Sequence, residues 1–177
     1  MKKYGSLLLS LICLQPYGFL AAKTASVDYE THMKKLVTHA KKHNPTYPFA
    51  AMIVDSKTGK ELCLGINRSN DNPTYHGEID AINQCVKQHG SSLDWSQLTL
   101  ITTAEPCAMC QGAIIWSNFQ RVVYGTSIDT LAKKGWHQIM IDSKALTEKS
   151  NFNKPEIIGD VLSDETDKLF RNYHLHP

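Results

Sequence analysis

Apolar residues recur along the chain with two different periods, and the switch between them outlines its elements. Over residues 27–42, Tyr29, Met33, Leu36, Val37 and Ala40 fall on one side of a 3.6-residue helix. Ser26 and Asp28 are candidate caps for its start, and Asn44-Pro45 and Tyr47-Pro48 end it. Residues 49–54 form an apolar run of strand length. Asp55-Ser56-Lys57-Thr58-Gly59 has turn chemistry and residues 61–66 read as a second strand, so the two pair as a hairpin. A polar loop containing Asn72-Pro73 leads to a helix over residues 76–88, with Ile79, Ile82 and Val86 on one side and Gly90-Ser91-Ser92 after it.

Residues 98–102 read as a third strand, residues 107–117 as a helix started by Pro106, and residues 121–125 as a fourth strand. Residues 128–141 are a loop or short helix followed by a candidate strand at 138–141. Residues 163–171 are a final helix with Leu169 and Phe170 packing down. Helices and strands alternate after the hairpin, which argues for parallel strands with right-handed crossovers. The fold class expected is one α/β domain with no internal repeat or linker.

The N-terminus departs from this pattern. Lys2 and Lys3 precede a short apolar run at residues 7–14, and Phe19-Leu20-Ala21-Ala22 ends in small residues. This is the pattern of a secretory signal peptide, so residues 1–25 are expected to be a signal and residues 26–177 the functional domain, periplasmic or secreted. Without cleavage the location would be cytoplasmic. The apolar run is too short for stable membrane insertion. Cleavage after Ala22 removes Lys2 and Lys3 and leaves 17 basic and 17 acidic residues. A chain so balanced lacks the electrostatic footprint of a nucleic-acid binder. Of the five cysteines, Cys63 and Cys85 are expected as buried thiols, one on a strand and one on a helix; a disulfide is the alternative, and spacing does not decide it.

The chemistry concentrates in His76-Gly77-Glu78 and Pro106-Cys107-Ala108-Met109-Cys110. His76, Cys107 and Cys110 supply three ligands for one zinc ion per chain, one short of a closed tetrahedral site. Glu78, two residues from the histidine, is placed to handle the protons of a water in the fourth position. A redox pair would need neither His76 nor Glu78, and a structural zinc would usually have a fourth protein ligand. His76 and Cys107 both open predicted helices, whose positive ends favour thiolate. The pattern H-x-E followed by P-C-x-x-C is the signature of zinc-dependent base deaminases.

On these motifs the chain resembles the cytidine and deoxycytidylate deaminase superfamily, over roughly residues 27–142. The nearest look is to the branch of guanine deaminase, tRNA adenosine deaminase and cytosine deaminase. Pro48-Phe49-Ala50-Ala51-Met52-Ile53-Val54, Gly65-Ile66-Asn67, residues 71–78 and residues 102–110 carry the likeness. The resemblance implies a three-layer α/β/α fold with a five-stranded mixed sheet, a zinc cofactor, Glu78 as the catalytic proton shuttle, and a homodimer. It also implies base contacts from Asn67 and Phe49, and backbone contacts to the reacting centre from Ala104 and Glu105. Trp116, within Gly112-Ala113-Ile114-Ile115-Trp116, resembles a tryptophan that guanine deaminases place beside the base. Asp129 stands in for an aspartate that those enzymes carry one position later, where this chain has Thr130. Gly135-Trp136-His137-Gln138 is richer in aromatic and amide character than the guanine enzymes lead one to expect. Tyr173 is a candidate to close the pocket. The activity expected is zinc-dependent hydrolytic deamination of a purine base such as guanine. Cytosine and tRNA adenosine are the alternative substrates, and a zinc-stabilised binding domain is the non-enzyme alternative.

Overall fold

The computed structural model describes residues 27–171, so the expected signal peptide and Tyr173 lie outside the described residues. Helix α1 (Tyr29–His43) is capped by the Asp28 side chain, which accepts from the Thr31 N–H. Glu30 sits in its first turn and Lys41, Lys42 and His43 in its last, matching the helix dipole. Strands β1 (Ala50–Asp55) and β2 (Glu61–Ile66) form the predicted hairpin. Next come α2 (Gly77–His89), a single 3-10 turn at Trp95–Gln97, β3 (Leu98–Ala104), α3 (Ala108–Trp116) and β4 (Arg121–Thr126). The chain then forms α4 (Ile128–Lys133), α5 (Ser143–Glu148), β5 (Glu156–Ile158) and α6 (Ser163–Thr166).

The sheet order is β2-β1-β3-β4-β5; β1 runs antiparallel to β2 and β3, while β3, β4 and β5 are parallel. Alternation along the strands divides the core in two. Ala50, Met52, Val54, Ile101 and Val123 meet α1, Leu131, Trp136, Leu169 and Phe170 on one face. Ala51, Ile53, Leu100 and Val122 meet Ala81 and Cys85 of α2, Ile114 of α3, and Phe119 on the other. This is the expected three-layer α/β/α arrangement.

Three local readings change. No strand forms at 138–141, where Ile139, Met140 and Ile141 are exposed; the fifth strand is Glu156–Ile158. The last helix stops at Thr166, although Leu169 and Phe170 do pack into the core. Cys63 and Cys85 are not free thiols but a disulfide, with Cα atoms 5.4 Å apart, joining β2 to α2.

Helix α2 rides very close to the sheet. A Cβ on Gly65 would lie 2.2 Å from the Ala81 nitrogen and 2.3 Å from the Gly77 oxygen, and one on Gly77 would lie 2.8 Å from the Phe49 oxygen. All three neighbours are backbone atoms, so only glycine fits at both places. Asp80, buried on α2, accepts from the Ile66 N–H at 3.1 Å and ties the helix to the end of β2.

The bridge closes a loop of 22 residues, which in the chain-entropy model stabilises the fold by about 3 kcal/mol. Reduction is expected to lower Tm by roughly 10 °C, and the C63A/C85A variant to show no response to reductant. Thermal scans with and without dithiothreitol check this, with thiol titration of the denatured, unreduced domain. Four titratable thiols in residues 27–171 would show the bridge absent.

Candidate active site

The helix starts that flank the cleft are built in an unusual way. His76 is the N-cap of α2 and Cys107 the N-cap of α3, yet neither side chain caps its helix. Both are turned instead toward one point. His76 Nδ1 lies 3.6 Å from Cys107 Sγ, and the donor atoms of His76, Cys107 and Cys110 all fall within 4.8 Å of one another. Tetrahedral zinc with ordinary Zn–N and Zn–S bonds would hold nitrogen and sulfur about 3.5 Å apart, so the donor set fits that ion.

The electrostatics suit a metal centre. Cys107 is drawn down to about 4 by the Cys110 thiol that donates to it, with help from His76. Cys110, sharing that proton, is pushed up, and His76 is raised by its bond to Cys107. Of the two, Cys107 is the one that favours thiolate. A bound divalent cation would deprotonate the second thiol as well.

Glu78 sits in the first turn of α2, 5% exposed, with the Thr102 hydroxyl 3.4 Å from its Oε1. Burial raises its pKa, and the neighbouring Cys107 charge raises it further. A carboxyl group tuned upward beside a metal-ligand cluster is suited to both taking and returning a proton.

These groups lie at the floor of a cleft of about 220 Å³. Tyr47, Phe49 and Trp136 give it an aromatic side; Asn67, Ser69, His137 and Gln138 supply polar groups, and Glu105 lines it beside Cys107. Phe49 and Trp136 meet edge to face at 5.4 Å, backed by Phe170. Asn67 is buried, and its Oδ1 accepts from the N–H and hydroxyl of Ser69, which leaves the amide nitrogen as its remaining hydrogen-bonding group. A larger concavity of about 460 Å³ between α1 and β2 contains none of the motif residues.

The expected site residues are thus divided. His76, Glu78, Cys107, Asn67, Phe49 and Glu105 line one cleft, with Cys110 buried behind the other ligands. Ala104 is buried at the end of β3 and is not part of the lining. The Glu105 side chain points its oxygens at backbone N–H groups of Ile128 and Ser143. Trp116 does not line the cleft: it is 80% exposed and stacks on Phe152 at 4.8 Å. Asp129 is exposed in the first turn of α4, also outside the lining. Tyr47 and Ser69 were not expected in the cleft. Their only signals in the sequence were a helix-breaking Tyr-Pro pair and a polar loop.

Residues 26–126 match the family model described as the cytidine and deoxycytidylate deaminase zinc-binding region. A probable cytosine deaminase of Schizosaccharomyces pombe is 33% identical over 124 residues, which cover 67% of this chain and 74% of that protein. A tRNA-specific adenosine deaminase of Rickettsia bellii is 31% identical over 128 residues, covering 71% and 84%. The solved structure of guanine deaminase from Nitrosomonas europaea gives a TM-score of 0.72 at 22% identity over 97% of this chain and 100% of that one, a likeness of fold. With the motif residues gathered at one cleft and the family match spanning both motifs, the chain belongs to the cytidine and deoxycytidylate deaminase family.

Proposed function

We propose that the protein hydrolyses the exocyclic amine of a free nucleobase, a purine with guanine first, using zinc held by His76, Cys107 and Cys110. The observation that carries this reading is the buried Glu78 carboxyl beside three converging metal-ligand atoms on the floor of a small cleft. The cleft is smaller than pockets that enclose drug-sized molecules, which suits a single base. When bound, the zinc ion supplies Lewis-acid activation of water at neutral pH. Glu78 takes the proton of the attacking water and passes protons to the ring nitrogen and the departing amine. A carbon–oxygen bond forms, the exocyclic carbon–nitrogen bond breaks, and ammonia leaves with no redox change. Phe49 and Trp136 give the base an aromatic, apolar corner, and the Asn67 amide and Gln138 offer polar contacts at its edge.

One observation favours cytosine as a second reading. Trp116, the residue that most resembles guanine deaminases, lies outside the cleft, so the cleft wall itself holds no guanine marker.

The location is proposed to be periplasmic or secreted. The signal-like N-terminus and the Cys63–Cys85 bridge both fit an oxidising compartment. Among the described residues no helix is long and apolar enough to cross a membrane.

A second copy of the chain is the proposed partner at α3. Met109, Gly112, Ala113 and Trp116 form an apolar stripe on the outer face of this helix, whose inner face is also apolar apart from Gln111, bonded to Thr147. A helix apolar all round belongs in an interior. The stripe is large-small-small-large about its own midpoint, so a two-fold axis would set the small residues together and Trp116 against the Met109 of the other copy. Sedimentation of the wild type is expected to show a dimer and of W116E a monomer; a monomeric wild type at micromolar concentration would sink this.

The activity is tested by ammonia release from guanine, guanosine, cytosine, cytidine, adenine and adenosine by the zinc-loaded domain. Turnover of one base is expected. E78Q is expected to keep its zinc and its Tm while turnover falls by about 10²–10⁴-fold. Full activity in E78Q would overturn the proton-carrier role. In H76A and C107S the bound zinc is expected to fall well below one per chain, measured by atomic absorption after dialysis.

A further inference from the structure

Glu105 precedes Cys107 by two residues and is 5% exposed, yet among the described residues it forms no ion pair. Its Oε2 accepts from the Ile128 N–H at 2.9 Å and its Oε1 from the Ser143 N–H at 2.7 Å. Ile128 is the first residue of α4 and Ser143 the first of α5, so both N–H groups are ones the helices themselves leave without a partner. The backbone repeats the connection. The Glu105 N–H donates to the Thr126 oxygen at 2.7 Å, and the Ser143 hydroxyl donates to the Pro106 oxygen at 3.3 Å.

The chain between these anchors carries Trp136, His137 and Gln138, three residues of the cleft wall. Residues 136–142 have no regular secondary structure, so no helical or strand ladder fixes them. Further supports include the packing of the Trp136 ring against Tyr47, Phe49 and Phe170 and bonds to the C-terminal segment: Lys134 Nζ donates to the Asp167 and Phe170 oxygens, and Trp136 Nε1 donates to the Arg171 oxygen at 2.8 Å.

We infer that Glu105 is a positioning residue whose carboxyl group clamps both ends of segment 128–143 and so fixes the 136–138 wall relative to the Cys107 loop. This rests on the reading of the cleft as the base-binding site. A carboxyl group suits the task because it has two acceptor oxygens and no competing donor when ionised. The clamp acts on substrate fit. It predicts a change in KM and in preference among bases, with the chemical step little altered.

The test compares wild type with E105Q. Glutamine keeps the size but turns an N–H₂ toward one of the two backbone N–H groups, so one of the two hydrogen bonds is lost. Expected are a rise in KM of about tenfold with kcat within about threefold, unchanged zinc content, and faster amide exchange at Ile128 or Ser143 and through 136–138. A lower Tm with KM and base preference unchanged would mean a purely structural residue and would overturn the proposal. Unchanged exchange at both amides would overturn it equally. Should E105Q fail to fold, E105D carries the same readouts, since it keeps the charge but falls one methylene short. Wild-type turnover reads the base-deaminase assignment separately, and amide exchange needs no substrate, so failure of one is distinguishable from failure of the other.

Discussion

The contact on which the rest of the structure depends is the seating of α2 against β1 and β2. With Gly65 facing the Ala81 nitrogen and Gly77 facing the Phe49 carbonyl, backbone meets backbone and there is no side chain left to yield. The Asp80 bond to Ile66 and the Cys63–Cys85 bridge act on the same pair of elements. Together they leave α2 little freedom to slide. Its N-terminus, with His76 and Glu78, therefore arrives at the end of β3 at the point where Cys107 opens α3. Geometry of this kind matters because an error of 1 Å in the placement of reacting groups can cost about 10²-fold in rate.

That placement carries an electrostatic cost. A carboxyl group and two thiols are gathered with little water around them, and burial disfavours charge on each. Two helix N-termini offset part of this by presenting free N–H groups and partial positive charge. The two N-cap positions illustrate the trade. A serine or aspartate at His76 or Cys107 would have capped its helix and added about 1 kcal/mol of stability. Ligand-bearing side chains stand there instead, and local helix stability is given up for a cation site.

Much of this was legible in the sequence, for identifiable reasons. The hairpin, α2, β3, α3 and β4 have strong periodicity and clear punctuation, and their observed ends fall within two residues of those expected. The metal-ligand group was legible because its residues lie in two short local motifs. What failed depended on contacts distant in sequence. Residues 138–141 have a strand's composition but no neighbouring strand edge to pair with; β5, only three residues long, forms because β4 offers one. Periodicity cannot show whether Cys63 and Cys85 stand opposite each other. Trp116 looked like a pocket residue through its resemblance to the guanine deaminases, whereas which face of α3 turns outward is decided by how α3 packs on the sheet. Gly135-Trp136-His137-Gln138 stood out in composition, but only its fold back over the cleft, held from Arg171 and Glu105, gives it a place.

The cleft therefore has two walls of different mechanical character. The wall carrying His76, Glu78 and Asn67 belongs to packed helix and sheet, where a one-methylene change is felt. The wall at 136–138 is irregular chain, anchored by the buried Trp136 ring and tied down at intervals by hydrogen bonds. Hydrogen bonds of this type, each worth about 1.5–3 kcal/mol when one partner is charged, can hold a segment without freezing its sequence. On the proposed reading, a site divided in this way keeps Glu78 on the rigid side, while the base is met from both sides, by Phe49 and Asn67 on one and by Trp136 and Gln138 on the other. The metal-ligand residues at 76–78 and 107–110 are then separate from most of the cleft lining, and on the proposed reading substrate identity is read from that lining, Phe49 and Asn67 as well as 136–138. The residue that resembled a guanine marker, Trp116, lies on neither wall, so it bears on the outer face of α3 and not on the fit of a base in the cleft.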